Sequence, residues 1–490
     1  MYQGNNDIAE KGRIDWFTVI FYLLFVSFGW LNIYAANFDL ESRGDEGFEL
    51  AGNALRQLIW IGSALVLAFV ITKIDVSFFE TYAFVFFLIG VVVLILTIFL
   101  PPLDVRGSRS FLDIGFIRVQ PAEFMKFVIA LALAKVLSIY NFSIMKPKNL
   151  LLVSAIILVP FAIVLLQDEM GQALVYIALV LVLYREGLPG GILFMGVAAI
   201  VYFIFGIKFS ETQLGMFSKG ELIVMSLIIV FTAGLVWSYV KRFKVGLFVL
   251  LIAGSIFLGA FVLSQFEVQV DWGLTALIAL SSVALYLLYL FIRFRMRTYL
   301  YIVLFMIGSF AFHESAEFVF EEVLEPHQSI RIKMLLGMED DPQGAGFQVR
   351  QSKIAIGSGG LWGKGFLEGT QTKLGYIPDQ DTDFIFCTIG EEHGFVGTAL
   401  VMLFFMIFML RLLHISERQT SVFGRAFGYG VISILLFHWA INVGMVIGIM
   451  PVIGIPLPFF SYGGSSLWSF TIMLFVLLKI DKMRKRKAFD

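Results

Sequence analysis

A chain of 490 residues with 59% hydrophobic and 15% charged residues, and a mean hydropathy of +0.87, lies outside the composition of soluble domains. Most of it must live in lipid, and the single Cys387 excludes an internal disulfide and a thiolate metal cluster. The formal net charge of −1 says little about partners, because the charges are confined to short segments between apolar runs.

In chain order, Lys11 and Arg13 precede an apolar run beginning at Trp16. It is as long as a full span and too long for a signal-peptide core, so an uncleaved first transmembrane helix is expected. Spans follow near 54–73, 78–100, 121–140, 150–166, 171–184, 190–208, 221–240, 245–265, 274–293, 298–314, 381–412, 425–449 and 461–480, about fourteen in all. The sixth is short and starts in QDEMGQA (167–173), which predicts a broken or tilted helix that lines a cavity or packs on protein. The expected fold is all-α, a polytopic integral membrane helical bundle.

Lys and Arg collect in alternate connections: 73–75, 145–149, 184–187, 240–245, 292–297, 412–419 and 479–487. With these on the cytoplasmic side, the acidic loop 37–50, the loop 107–116, the long polar stretch 330–381 and the proline-rich turn 451–464 are extracytoplasmic. The long stretch holds Gly, carboxylates and cations, interleaved with Trp362, Phe366 and Tyr376, which suits packing back on the bundle better than a disordered linker.

Three constellations carry polar chemistry. Asp341 is followed by Pro342, which restricts its backbone, and by Gly344 and Gly346, which let main chain approach a ligand closely. On residue chemistry alone it reads as a turn initiator at least as readily as a base. Arg331, Lys333, Arg350, Lys353, Lys364 and Lys373 share that stretch; by default such cations are solvated, and one or two are expected to meet an anionic substrate, Lys353 first and Lys364 second. Ser358, Gly359 and Gly360 could offer backbone amides to phosphate oxygens. At 120–126, Glu123 and Lys126 are three apart and share a helix face. Charges in a membrane helix are costly unless they face the bundle interior or a wet cavity, with snorkelling as the bland reading. Arg109 and Gln120 flank them as candidate contacts to sugar or phosphate. Pro451, Pro456 and Pro458 prevent a continuous helix, so the SYGGSS segment is expected to fold back. Cys387 and Asn442 read as packing and interhelical residues, as does His438; Glu391 and Glu392 need partners, for which His393 is a candidate.

QSKIAIGSGGLWGKGFLEGTQTKLGYIPDQDTDFIFCTIGEEHGFVG (351–397), NVGMVIGIMPVIGIPLPFFSYGGSS (442–466) and GSRSFLDIGFIRVQPAEFMK (107–126) resemble the three signature regions of the SEDS family (shape, elongation, division and sporulation), with GKGFLEGTQ similar to its RodA-type branch. The resemblance covers about residues 10–208 and 320–490. It implies a ten-span core (1–208 and 381–490) interrupted by a catalytic loop at 321–380, with four further spans inserted at 209–320, to which no function is given. It further implies a glycosyltransferase that polymerises lipid II into peptidoglycan strands, a class B penicillin-binding protein as partner, and no nucleic-acid partner. Asp341 takes the place of the family's essential acid, which turns the balance toward catalysis. Glu169 stands where the family has an aspartate, one methylene longer, and Asp381 where it has a histidine. Ser461, Gly463, Gly464 and Ser465 align with the cavity floor as candidate contacts. No cofactor is demanded and no metal-ligand spacing stands out, though a divalent cation (Mg or Mn) could assist a diphosphate leaving group. The competing reading is a transporter or flippase for a lipid-linked precursor; inverted repeats, the usual transporter sign, are not evident.

Overall fold

The computed structural model describes residues 14–38, 52–99, 110–113, 115, 118–214, 217–266, 268–323, 326–339 and 345–484. The regular structure among them is helical apart from two antiparallel ladders of two residues a side. β1 (Leu112–Asp113) pairs with β2 (Arg118–Val119), and β3 (Gln213–Leu214) with β4 (Phe217–Ser218). Twelve of the described helices are long and apolar enough to cross a membrane. The two expected spans that fall short of that length are the fourth, Pro121–Leu137, and the sixth, which divides into Met170–Ile177 and Val180–Arg185.

The chain forms two compact units, Met1–Leu188 with Pro342–Asp490, and Pro189–Asp341. The first contains α1 (Trp16–Ala36), α2 (Asn53–Lys73), α3 (Val76–Phe99), α4 (Pro121–Leu137), α5 (Pro147–Leu165), α6 (Met170–Ile177) and α7 (Val180–Arg185). The second contains α8 (Gly190–Lys208), α9 (Lys219–Leu235), α10 (Phe243–Ser264), α11 (Trp272–Phe294), α12 (Arg297–Phe318) and α13 (Pro326–Leu335). The chain then returns to the first through α14 (Ala345–Ser358), α15 (Thr370–Lys373), α16 (Ile385–Glu417), α17 (Val422–Val446) and α18 (Gly464–Lys482).

In the first unit α4 is the central helix, packed against α3, α17 and α18. Its run of alanines explains this: Ala122, Ala130, Ala132 and Ala134 are at most 1% exposed, and small side chains let helix backbones approach closely. Gly430 of α17 lies against Ala130, where an added Cβ would come within 2.9 Å of the alanine methyl. Beside this contact Phe25, Phe405, Phe408, Phe459 and Phe460 form a buried aromatic cluster, with Phe25 and Phe405 stacked at 4.5 Å.

The second unit has its own apolar core, including Ala233, Ala276, Ala279, Val283, Leu287, Tyr299 and Met306. Its helix starts are written in the sequence. Ser218 and Glu221 form a reciprocal capping box on α9, and the Asp271 carboxylate accepts from the Gly273 and Leu274 amides at 3.0 Å to start α11. The basic turn before α10 is held to the end of α11 by the Arg242 guanidinium, 4.8 Å from the Phe294 ring centroid.

Candidate active site

The glycine-rich stretch after α14 has a structural task. α16 is broken at Gly394, whose φ of 64° and ψ of −161° only glycine adopts comfortably. A break leaves backbone groups of a membrane helix without partners, and the loop 359–365 supplies them. Lys364 and Gly365 donate their amides to the Glu391 and Glu392 carbonyls at 3.0 Å. On the far side of the break, Phe395 and Val396 donate to the Gly360 and Leu361 carbonyls at 2.9 and 3.0 Å. Side chains would prevent the approach: a Cβ on Gly394 would come within 2.8 Å of the Leu361 backbone. The amides expected to form an anion nest are thus engaged within the protein: Gly359 and Gly360 donate to Ile356 and Gly357, and Gly363 donates to Gly359 at 2.8 Å.

The break also aims two carboxylates at the loop. Glu391 accepts the amides of Thr370, Gln371 and Thr372 at 2.8, 2.8 and 2.9 Å, capping α15, and pairs with Lys364 Nζ at 2.6 Å. Glu392 Oε1 lies 3.1 Å from Lys373 Nζ, both side chains being fully buried. Lys373 also donates to the Ala35 carbonyl, while Gln380 Nε2 donates to the Ala36 carbonyl at 2.5 Å, so the loop satisfies the last carbonyls of α1. Burial pulls the pKa of Lys373 below the usual lysine range, against the opposing effect of Glu392. His393 instead sets its ring edge-on to Phe28, 5.3 Å between centroids. Lys353 is exposed and makes no ion pair among the described residues; its side chain crosses Gly448 at the end of α17. Of the two cations expected to meet an anion, Lys353 is therefore open and Lys364 is engaged.

Glu123 and Lys126 share one face of α4, as their spacing predicts, and are sealed in the bundle at 1% and 0% exposure. Lys126 Nζ donates to Glu123 Oε2 at 2.5 Å and lies 2.9 Å from His438 Nε2. Because His438 Nδ1 is 3.1 Å from the Pro456 carbonyl, the tautomer that satisfies both contacts carries its proton on Nδ1 and accepts from Lys126. Gln172 Nε2 donates to Glu123 Oε1 at 2.5 Å, and the Phe470 ring centroid is 5.0 Å from Lys126 Nζ. This ion pair is complete within the protein: removing either partner would strand a buried charge.

The folded-back segment 451–463 meets this network at Pro456, and side chains satisfy its Ile455 and Pro456 carbonyls. Asn442 Nδ2 donates to Ile455 and Asp383 carbonyls at 2.7 and 2.8 Å. Ser461 Oγ accepts the Leu457 amide at 2.8 Å inside the same turn, so its hydroxyl shapes the segment. Gly463 donates to Gln57 Oε1 at 3.2 Å, and Gly464 packs so closely on Trp60 that a Cβ would come within 2.7 Å of the indole. Ser465 Oγ accepts the Gln120 amide at 3.1 Å, which brings together two residues expected to line one cavity. Asp381 accepts from Asn53 Nδ2 at 2.8 Å and takes the Tyr462 amide on its carbonyl at 2.8 Å. Glu169, at the start of α6, accepts from Ser110 Oγ at 2.6 Å. Asp341 and Arg109 lie outside the described residues. The sequence singles out neither Gln172 nor His438 as partners of the Glu123–Lys126 pair; the available signal is that a charge pair in a membrane helix requires polar neighbours on facing helices.

A helical membrane bundle with a broken span, a folded-back segment and a sealed ion pair defines a polytopic membrane protein whose polar interior is built for more than packing. The chain belongs to the cell cycle protein family of FtsW, RodA and SpoVE, whose family model matches residues 15–219 and 213–486. It is 31% identical over 475 residues to the peptidoglycan glycosyltransferase RodA of Treponema pallidum, covering 97% of this chain and 99% of that protein. Stage V sporulation protein E of Bacillus subtilis is 28% identical over 97% of this chain and 98% of its own length. Among solved structures, Thermus thermophilus rod shape determining protein RodA shares the fold at a TM-score of 0.54 and 20% identity, covering 97% of this chain and 98% of that one. A chain from a structure described as the coordination of polymerization and crosslinking by a peptidoglycan synthase complex gives 0.57 and 20%, over 96% of this chain and 97% of that one.

Proposed function

We propose that this chain is a peptidoglycan glycosyltransferase that polymerises lipid II into glycan strands at the outer face of the cytoplasmic membrane, serving elongation and rod shape. The observation that carries the reading is the end-to-end relationship with the Treponema glycosyltransferase, 31% over 97% of the chain. A relative matched over a single motif would support the fold alone.

In this reading Asp341 takes the proton from the acceptor GlcNAc 4-hydroxyl as its oxygen attacks C1 of the donor MurNAc, with inversion and departure of undecaprenyl diphosphate. Lys353, open and unpaired among the described residues, meets the departing diphosphate. Lys364 and Glu391 act through the loop by holding α15. Arg109, Gln120 and Ser465 face the sugar or phosphate end of a substrate, with Glu123, Lys126 and Glu169 supporting that wall. Residues 321–380 form the catalytic loop, 1–208 and 381–490 the core, and 209–320 the insert. A class B penicillin-binding protein cross-links the strands.

The test is polymerisation of purified lipid II by the reconstituted full chain, with and without a class B transpeptidase, in Mg, Mn or chelator. Wild type is expected to yield strands. Asp341→Asn, equally folded, is expected to lose on the order of 10²–10⁴ of the rate, the usual contribution of a positioned base. Absence of strands under every condition, with lipid II crossing proteoliposome membranes regardless of Asp341, would replace this reading by transport.

A further inference from the structure

Six cations occupy the two turns that join α9 to α10 and α11 to α12: Lys241, Arg242 and Lys244 in the first, Arg293, Arg295 and Arg297 in the second. The two turns share one form. A left-handed residue, Lys241 at φ 55° or Arg295 at φ 50°, closes one helix, and a single extended residue leads into the next. The turns meet where the Arg242 guanidinium lies over the Phe294 ring, and the π-helical turn Val236–Val240 that ends α9 packs against both α10 and α12. All six residues are exposed.

Nothing within the unit answers this charge. None of the six makes an ion pair among the described residues. No Asp or Glu occurs at 222–266 or 272–313, so the acids of the unit stand at the other end of its helices, around Glu211, Glu221 and Asp271. Basic connections of the first unit are neutralised within the protein: Arg185 pairs with Glu417 at 2.9 Å, Arg425 with Glu186 at 2.8 Å, and Arg411 and Arg418 with Asp15 and Asp481. An excess of Lys and Arg can orient a membrane chain without binding anything. Two features go beyond that. Lys241, Arg293 and Arg295 lie at helix C-terminal ends, where the dipole favours a cation, but Lys244 and Arg297 lie in the first turns of α10 and α12, where it disfavours one, and no acid shares either turn. Apolar surface also adjoins the charge. Trp237 stacks on Phe243 at 5.5 Å and donates from Nε1 to the Phe243 carbonyl at 3.1 Å, a fit that Gly246 permits, since a Cβ there would run into the indole. Phe243 and Ile292 remain 67% and 72% exposed beside the cations. A soluble anion would leave that surface unused, whereas a phospholipid brings phosphate and acyl chain together.

We infer that this end of the second unit binds the phosphate of an anionic phospholipid: the cations of the two turns, Lys244 and Arg297 among them, hold the phosphate oxygens, and the Trp237–Phe243 ledge meets the glycerol and upper acyl chain. With Lys and Arg on the cytoplasmic side, the lipid belongs to the inner leaflet. The site lies in the second unit alone and does not depend on the polymerase reading.

The full chain is reconstituted in nanodiscs of phosphatidylglycerol and phosphatidylcholine in equal parts, and the lipids it keeps on release are counted by native mass spectrometry. Wild type is expected to retain phosphatidylglycerol in preference to phosphatidylcholine. Lys244→Gln and Arg297→Gln should each lower that preference about fivefold, as removal of one cation at an anionic surface does. Neither side chain makes an ion pair or hydrogen bond among the described residues, and taking a cation from a helix start favours the helix, so such a loss would not be one of folding. Lys146→Gln with Lys148→Gln removes two exposed cations from the first unit and should leave the preference unchanged. The inference is overturned if phosphatidylglycerol is not preferred, if neither single variant changes the preference, or if the Lys146, Lys148 variant lowers it as much, which would make net charge the cause. Displacement of the retained lipid by glycerol 3-phosphate, which carries the charge without acyl chains, would assign the turns to a soluble phosphate and overturn the lipid assignment.

Discussion

The two units solve the problem of a membrane interior differently. Among the described residues, the buried residues Glu123, Lys126, Glu391, Glu392, Lys479 and Asp481 and the buried side chain of Lys373 all lie in the first unit, and the second has no buried Asp, Glu or Lys. The buried polar residues of the second are Ser218, Thr232, Thr275, Ser309 and His313, uncharged save for the capacity of the imidazole. The second unit forms its bundle with no buried carboxylate or ammonium among its described residues, so bundle packing as such does not require the charges of the first. Each is costly to bury and is kept by partners fixed in place, which is what a site that must hold its geometry requires.

Removing single partners should break the comparison most sharply in the first unit. Lys126→Met strands Glu123 in an apolar bundle and should lower stability by about 3–5 kcal/mol. Most of that loss should return in the Glu123→Gln, Lys126→Met double variant, read by thermal unfolding of the purified protein; an additive double variant would show that the two residues do not act as a pair. Gly394→Ala should cost less, about 1–3 kcal/mol for the forced backbone conformation, and should increase hydrogen exchange of residues 360–365 and 391–396 together. Exchange confined to one of the two segments would separate the loop from the break. In the second unit Thr275→Val removes a buried hydroxyl whose bond is to the Asp271 carbonyl at 2.8 Å of its own helix. The expected change is about 0.6 kcal/mol or less, and a loss as large as that of Lys126→Met would erase the distinction between the units.

The helices were legible because apolar runs of span length leave little choice in lipid; α1 and α8 fall on the expected 16–36 and 190–208. The division of the sixth span was foreshadowed by its polar start and short length. Within the site, Glu123 and Lys126 could be placed on one face from spacing alone. Their partners could not: His438 is 312 residues from Lys126 and Gln172 is 49 from Glu123, distances over which no periodicity reports. Among the cations of the loop the sequence ranks Lys353 ahead of Lys364 but does not reveal their partners: Lys364 is drawn to Glu391, while Lys353 makes no ion pair among the described residues. Ser358, Gly359 and Gly360 suggested phosphate binding because such runs present amides; the Gly359 and Gly360 amides close the end of α14, and the stretch that follows them supplies the partners of the α16 break, which no local pattern reveals.

The break in α16 also bears on how the chain is made. The ribosome completes residues 359–365 before it completes 391–396, so the loop waits for the helix it will join. Until they meet, the broken turn of α16 and the loop both carry unpaired backbone groups that hydrocarbon does not tolerate. The joint therefore cannot form until both stretches have been made, and each holds half of the hydrogen bonds that complete it.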